Sequence, residues 1–193
     1  MRAVIRPIGF YLLLMLATPV QAANYTIDST HTYPSFEINH GGFSTQRGFF
    51  GKTAGSITLD RQAHTGSANV KVEAASITTG MKLRDEVLRG EKFFNVAKYP
   101  DIVFASDSLK FDGEVPVSAD GKLTLLGVTK PVTLTIRNFK CGQNVISKYD
   151  ECGADIHMQF KRSDFGMTAY LSSVGDEVTL HIQVEAAKDS VFE

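Results

Sequence analysis

Tryptophan is absent from this 193-residue chain, cysteine occurs only twice, and neither sign of charge prevails: 20 basic side chains stand against 21 acidic ones, a formal net charge of −1. Without a basic stripe there is nothing to neutralise a phosphate backbone, which argues against nucleic acid as a partner. Beyond the N-terminus no apolar run approaches the ~20 residues that a membrane-spanning helix needs. Motifs of catalysis are missing too. The chain has no G-x-S-x-G, no H-E-x-x-H and no pair of carboxylates on one apolar face to suggest acid–base work. Asp164-Phe165-Gly166 spells the magnesium motif of protein kinases, but neither a Gly-rich phosphate loop nor a catalytic His-Arg-Asp accompanies it. The expectation is a protein that is not an enzyme and requires no cofactor or metal.

What is present begins with an export signal. Arg2 and Arg6 precede an apolar run from Ile8 to Ala17, and Val20-Gln21-Ala22 offers small residues at the −3 and −1 positions of a cleavage site. Residues 1–22 read as a signal peptide and residues 23–193 as one exported domain, with no transmembrane anchor after cleavage. Export also colours the reading of the cysteines. Cys141 and Cys152 flank a polar loop between two strand patterns, and an oxidising compartment favours a disulfide across it. A metal pair is the competing reading, but no histidine or third cysteine lies at zinc-like spacing.

Most of the mature chain alternates apolar and polar residues. Phe36, Ile38 and His40 fall on one face of a strand; Val132, Leu134 and Ile136 repeat the pattern, as do Ala154 to Phe160 and Val178 to Ala186. Asp120-Gly121 reads as a turn before Leu123 and Leu125. Many strands with one wet and one apolar face indicate an all-β fold: a sandwich or, given the strand lengths, a closed antiparallel barrel of about eight strands. A barrel of that size encloses room for one small ligand. The one helical interruption is Ser76 to Ser106. There Leu83, Val87 and Leu88 recur at helical spacing to form a buried side, the Asp85–Arg89 pair reads as a solvated face, and Gly90 reads as a positive-φ terminator. Such a helix has its natural place at the barrel opening, as a lid or plug.

At the level of motifs the chain resembles the YceI-like, polyisoprenoid-binding family. The likeness rests on His31, Phe36, His40, Gly41, Gly48 and Phe50 near the front. In the middle it rests on Ser76-Ile77, Thr79, Arg84-Asp85, Leu88, Phe93-Phe94, Tyr99-Pro100, Phe104 and Ser106. It ends with Gly121-x-Leu123-Thr124, Gly127-Val128-Thr129-Lys130-Pro131-Val132 and Asp164-Phe165-Gly166. It covers essentially all of the mature chain and implies a lipocalin-like barrel in the bacterial periplasm, often dimeric, holding a long isoprenoid or other amphiphilic chain. The Cys141–Cys152 loop is no part of the family pattern.

Thirteen phenylalanines supply large apolar surface without polar handles. On their own they read first as core filling. The resemblance turns a subset into a lined tunnel: Phe36, Ile38, Phe93, Phe94, Phe104, Leu134 and Ile136. His40 shares the face of Phe36 and Ile38, either as a hydrogen-bonded core residue or as a head-group contact. Arg84 is a second head-group candidate, because a guanidinium pairs bidentately with phosphate; its alternative is a solvated helix face. The expected function is a periplasmic carrier that sequesters a polyisoprenoid or isoprenoid quinone. Its rivals are an enzyme acting on such a lipid and a stress-related module with a packed interior.

Overall fold

The computed structural model describes residues 22–189; apart from Ala22, the segment read as a signal peptide lies outside them. Eleven strands form a single antiparallel sheet that closes on itself. In chain order they are β1 (Ala23–Ile27), β2 (Tyr33–His40), β3 (Ser44–Phe50), β4 (Thr53–Asp60), β5 (Thr65–Glu73), β6 (Ile77–Thr78), β7 (Asp101–Asp112), β8 (Val115–Leu125), β9 (Val128–Gln143), β10 (Asp150–Lys161) and β11 (Val174–Lys188). The helix α1 (Lys82–Arg89) lies between β6 and β7.

The ring runs β1-β4-β5-β7-β8-β9-β10-β11 and closes through β1–β11, an eight-stranded barrel; β2, β3 and β6 extend from β11. The extra strands are continuations rather than additions. β1 and β2 lie along the same edge of β11, first at Tyr25–Lys188 and then from Tyr33–Gln183 to His40–Val174. The break between them is bridged by Thr32, whose buried hydroxyl donates to the Glu185 carbonyl and accepts from the Glu185 N–H. β3 passes into β4 across Gly51-Lys52, and both of those N–H groups are taken up by Ser76. β5 passes into β6 through a 3-10 turn at Ala74–Ser76. Eight long, bent strands therefore make the wall.

Register separates the two ends of the barrel. One end collects the β2–β3 tip at residues 41–43, α1 with the segment after it, the Leu126-Gly127 turn and the β10–β11 connection at residues 162–173. The other collects the β4–β5 turn, the Gly113-Glu114 turn and the β9–β10 hairpin. Cys141 and Cys152 are directly opposed in that hairpin, Cα atoms 4.0 Å apart, and are joined by the expected disulfide. The bridge thus sits at the end remote from the helix.

Several expectations are corrected. Asp120-Gly121 is no turn but the interior of β8. Gly121 is there because the Phe104 ring lies over it: a Cβ would come within 2.7 Å of that ring. Gly48 accommodates Phe36 in the same way, with a Cβ 2.6 Å from the ring. The helix also turns a different face inward. Leu83 and Val87 are exposed, Leu88 is half-buried, and Asp85 is the buried residue of α1. Nor is the Asp85–Arg89 pair a solvated face. Asp85 accepts from the Thr79 N–H, the Thr79 hydroxyl and the Thr78 hydroxyl, while Arg89 donates to the Ala75 and Ile77 carbonyls. A short helix on a two-residue strand has little apolar surface to share, so polar bonds hold it in place. Gly90 is extended, with φ −72°, and the turn after it is closed by Phe93 and Asn95 donating to its carbonyl.

Candidate ligand-binding cavity

Inward side chains of every strand but β6 face a space they do not fill. The bore encloses about 410 Å³, lined almost wholly by carbon. That lies within the ~300–1,000 Å³ typical of sites for small ligands. Tight packing is concentrated in two clusters along this wall: Leu123, Leu125, Met158 and Phe165 form one, and Phe50, Val72 and Ile77 the other. Leu134, Ile136, Ile156, Ile182 and Val184 are only half-buried although they point inward, because what they face is the bore.

All nine positions singled out from the sequence lie on this wall: Phe36, Ile38 and His40 on β2, Arg84 on α1, Phe93 and Phe94 after it, Phe104 on β7, Leu134 and Ile136 on β9. Their surroundings differ. Phe94 packs edge-on against Phe50 with centroids 5.4 Å apart, and Phe93 stacks on Tyr170 at 6.1 Å. His40 is exposed at the end of β2, and no hydrogen bond to its ring occurs among the described residues. It is therefore not the hydrogen-bonded core histidine that an apolar face ordinarily implies. Arg84 spans the gap between helix and hairpin. Its Nε donates to Thr79 Oγ1 at 2.8 Å, one Nη to the Thr79 carbonyl at 3.1 Å and the other to Gln46 Oε1 at 2.5 Å.

The cavity reaches the surface at one end. Of the wall residues, His40, Arg47 and Val87 are exposed, and all three belong to the helix end. Polar groups concentrate there as well: His40, Gln46, Arg47, Thr79 and Arg84. The bore is thus amphipathic along its length, carbon-lined within and polar at its mouth.

Sequence reasoning missed Arg162. It follows β10, is 2% exposed, and touches the wall, donating to the carbonyls of Gly175, Met167 and Val174 at 2.8–2.9 Å. Burial lowers its pKa, while the charge of Asp176 works in the opposite direction. The adjoining Asp176 accepts from the Ser163 N–H and hydroxyl, which hold its carboxyl below the usual range. The signal was available, an arginine directly before Ser163-Asp164-Phe165-Gly166, but a lone charge at a strand end ordinarily reads as solvent-facing.

Away from the wall, Asp28, His31 and Glu185 bring one ligating atom each within 4.8 Å of one another. None of the three lines the cavity. His31 Nδ1 lies 2.7 Å from Asp28 Oδ2, and the other Asp28 oxygen accepts from the Thr30 N–H and hydroxyl. These bonds close the turn between β1 and β2.

Comparison with known proteins places these features in a family. A UPF0312 protein of Photorhabdus laumondii is 36% identical over 180 residues, covering 92% of this chain and 93% of that protein. A UPF0312 protein of Yersinia pestis is 36% identical over 179 residues, covering 91% and 92%. Among solved structures, a Campylobacter jejuni YCEI protein superposes with TM-score 0.66 at 25% identity, over 95% of this chain and all of that one. Burkholderia cenocepacia BcnA gives TM-score 0.71 at 23% identity, over 82% and 98%. A polyisoprenoid binding domain from Saccharophagus degradans, at 13% identity and TM-score 0.63 over 88% and 100%, shares the fold. No helix among the described residues is long and apolar enough to cross a membrane. With a match to the YceI-like domain running from residue 25 to residue 186, the chain belongs to the YceI-like family.

Proposed function

We propose that this protein binds one amphipathic lipid, its chain in the bore and its head group at the helix end, and that it acts as a carrier rather than an enzyme. The observation that carries the reading is the hollow, carbon-lined interior with exposed wall residues at one end only. A chain without hydrogen-bonding groups matches such walls, because any polar atom carried inside would lose its water without replacement. At ~25 cal/mol per Å², a chain burying several hundred Å² gains about 10 kcal/mol before ordering costs. His40 and Arg84 stand where a head group would lie, and Arg84 supplies a guanidinium for a phosphate or a carbonyl.

The ligand classes that fit are a polyisoprenoid or an isoprenoid quinone, and the compartment we propose is the bacterial periplasm. Support for the ligand includes the fold shared with a polyisoprenoid binding domain. Support for export is the disulfide together with the pattern of residues 1–22. A homodimer belongs to the same proposal, on the family resemblance. The packed-interior rival fits poorly with a bore of this volume. Native mass spectrometry of the purified protein tests the reading, together with titration of a fluorescent prenyl analogue. We expect one co-purifying lipid, or saturable binding with one analogue per chain. Empty protein that binds no prenyl analogue overturns the proposal, and turnover of the bound lipid would favour the enzyme.

A further inference from the structure

We propose that the helix end of the barrel docks on a lipid bilayer, so that ligand passes between membrane and bore without crossing water. This inference rests on the lipid-carrier reading. Three separate segments frame the mouth, and each exposes large apolar side chains there. The β2–β3 tip offers Phe43, 93% exposed; α1 and the residue before it offer Met81, Leu83 (67%) and Val87 (58%); the β10–β11 connection offers Tyr170 and Leu171. Single exposed apolar residues need no explanation, but six around one opening do.

The patch is continuous with the interior. Val87 belongs both to it and to the cavity wall, and Tyr170 stacks on the wall residue Phe93. A protein partner seated on this rim would stopper the bore, whereas a bilayer leaves it facing the reservoir of its ligand. The polar groups interleaved with the rim suit a headgroup layer. Lys82 adjoins Met81 and Leu83. Lys92 lies 5.5 Å above the Tyr170 ring with Nζ 3.4 Å from its hydroxyl, and Lys98 lies 5.1 Å above Tyr99. Lysine over tyrosine keeps the charge at the lipid phosphates while the ring enters the interface. Glu86 and Glu91 also lie on this side, so the drive is apolar insertion more than net charge. Val145, Ile146 and Tyr149 are equally exposed on the hairpin beyond the disulfide, at the opposite end, and provide an internal control.

The experiment is flotation of the mature protein with vesicles of phosphatidylethanolamine and phosphatidylglycerol, beside transfer of a fluorescent prenyl analogue from those vesicles. Phe43→Asp and Leu83→Asp lie outside the cavity wall and should retain analogue affinity in solution. We expect them to lose flotation and to slow transfer at least tenfold, with Ile146→Asp unchanged. Wild-type protein that does not float overturns the proposal. So does loss of flotation in Ile146→Asp alone, or a sedimentation shift in which Leu83→Asp dissociates a dimer while flotation is unaffected; that last outcome would assign the rim to a second copy of the chain. Failure of the carrier reading would look different: no analogue bound in solution by any variant, whatever the flotation.

Discussion

Single side chains settle how the mouth is held, and Asp85 is the clearest. It is 5% exposed. Burial pushes its pKa up, but the bonds from Thr79 and Thr78 and the charge of Arg89 outweigh that, leaving the carboxyl below its ordinary range. Asp85→Ala strands three donors and should cost about 3 kcal/mol in denaturant unfolding. Asp85→Asn, which keeps one acceptor oxygen, should cost less. Because these bonds join α1 to β6 and the residue that follows it, the alanine variant should also release a bound prenyl analogue faster, measurable by stopped-flow chase. The Asp28–His31 pair gives a pH signature instead. The bond to Asp28, then the charges of Asp28 and Glu185, raise the His31 pKa above 6.5. The bond from His31, then that from Thr30, lowers Asp28 to about 2. A raised histidine stabilises below its unfolded pKa and loses that contribution as pH rises through its folded value. A lowered aspartate stabilises above its unfolded pKa and loses that only as pH falls towards the folded one. The pair is therefore strongest between about pH 4 and about pH 6.5. Wild type should melt above His31→Gln at about pH 5.5, with the gap shrinking as pH rises through the raised His31 pKa. A gap that does not depend on pH would refute the pairing.

Elements show what could and could not be read from the sequence. The long strands were legible because period-two alternation is a local property, and it survives wherever one face is dry. The same logic put Phe36, Leu134 and Ile136 on inward faces; that those faces line a bore was what the family resemblance implied. The helix misled because its spacing marks three aliphatic residues on one side, and spacing cannot say which side faces protein. Leu83 and Val87 are exposed while Asp85 faces in, a preference set by Thr78 at the end of β6 and Thr79 just after it. Asp120-Gly121 misled for a similar reason. The glycine answers the Phe104 ring across the sheet, a contact that no sequence window contains. The disulfide was legible from compartment and loop, and its location adds a prediction. It staples the end opposite the mouth, so the Cys141→Ser/Cys152→Ser double variant should lose about 3 kcal/mol of stability, near the chain-entropy value for a short loop. Its prenyl off-rate should stay within about twofold of wild type if the mouth is the only route of exit.

At the scale of the whole molecule, a hollow barrel and a packed one make opposite predictions about added volume. Ile136 lies mid-strand on β9, paired with Ile156, which is paired in turn with Ile182, so this row crosses the bore wall without touching the mouth. In a packed core, Ile136→Trp would overfill the site and cost about 1–3 kcal/mol through strained rotamers and backbone shifts. In this barrel the extra ring has about 410 Å³ to enter and apolar partners already in place. The ligand-free variant should therefore unfold at the same denaturant concentration as wild type or higher, since the ring buries area that isoleucine leaves open. Lipid and ring would then compete for one space, and prenyl affinity should fall at least tenfold, about 1.4 kcal/mol. Phe94→Ala is the converse test. Removing a ring packed on Phe50 should cost about 3–5 kcal/mol if that contact is ordinary core. It should cost less in ligand-free protein, and show up as faster release, if part of what Phe94 touches is lipid. Stability lost in Ile136→Trp with affinity kept would mean that the ligand lies elsewhere and the bore closes in solution. Stability kept with affinity lost is the result that a lipid held in the bore requires.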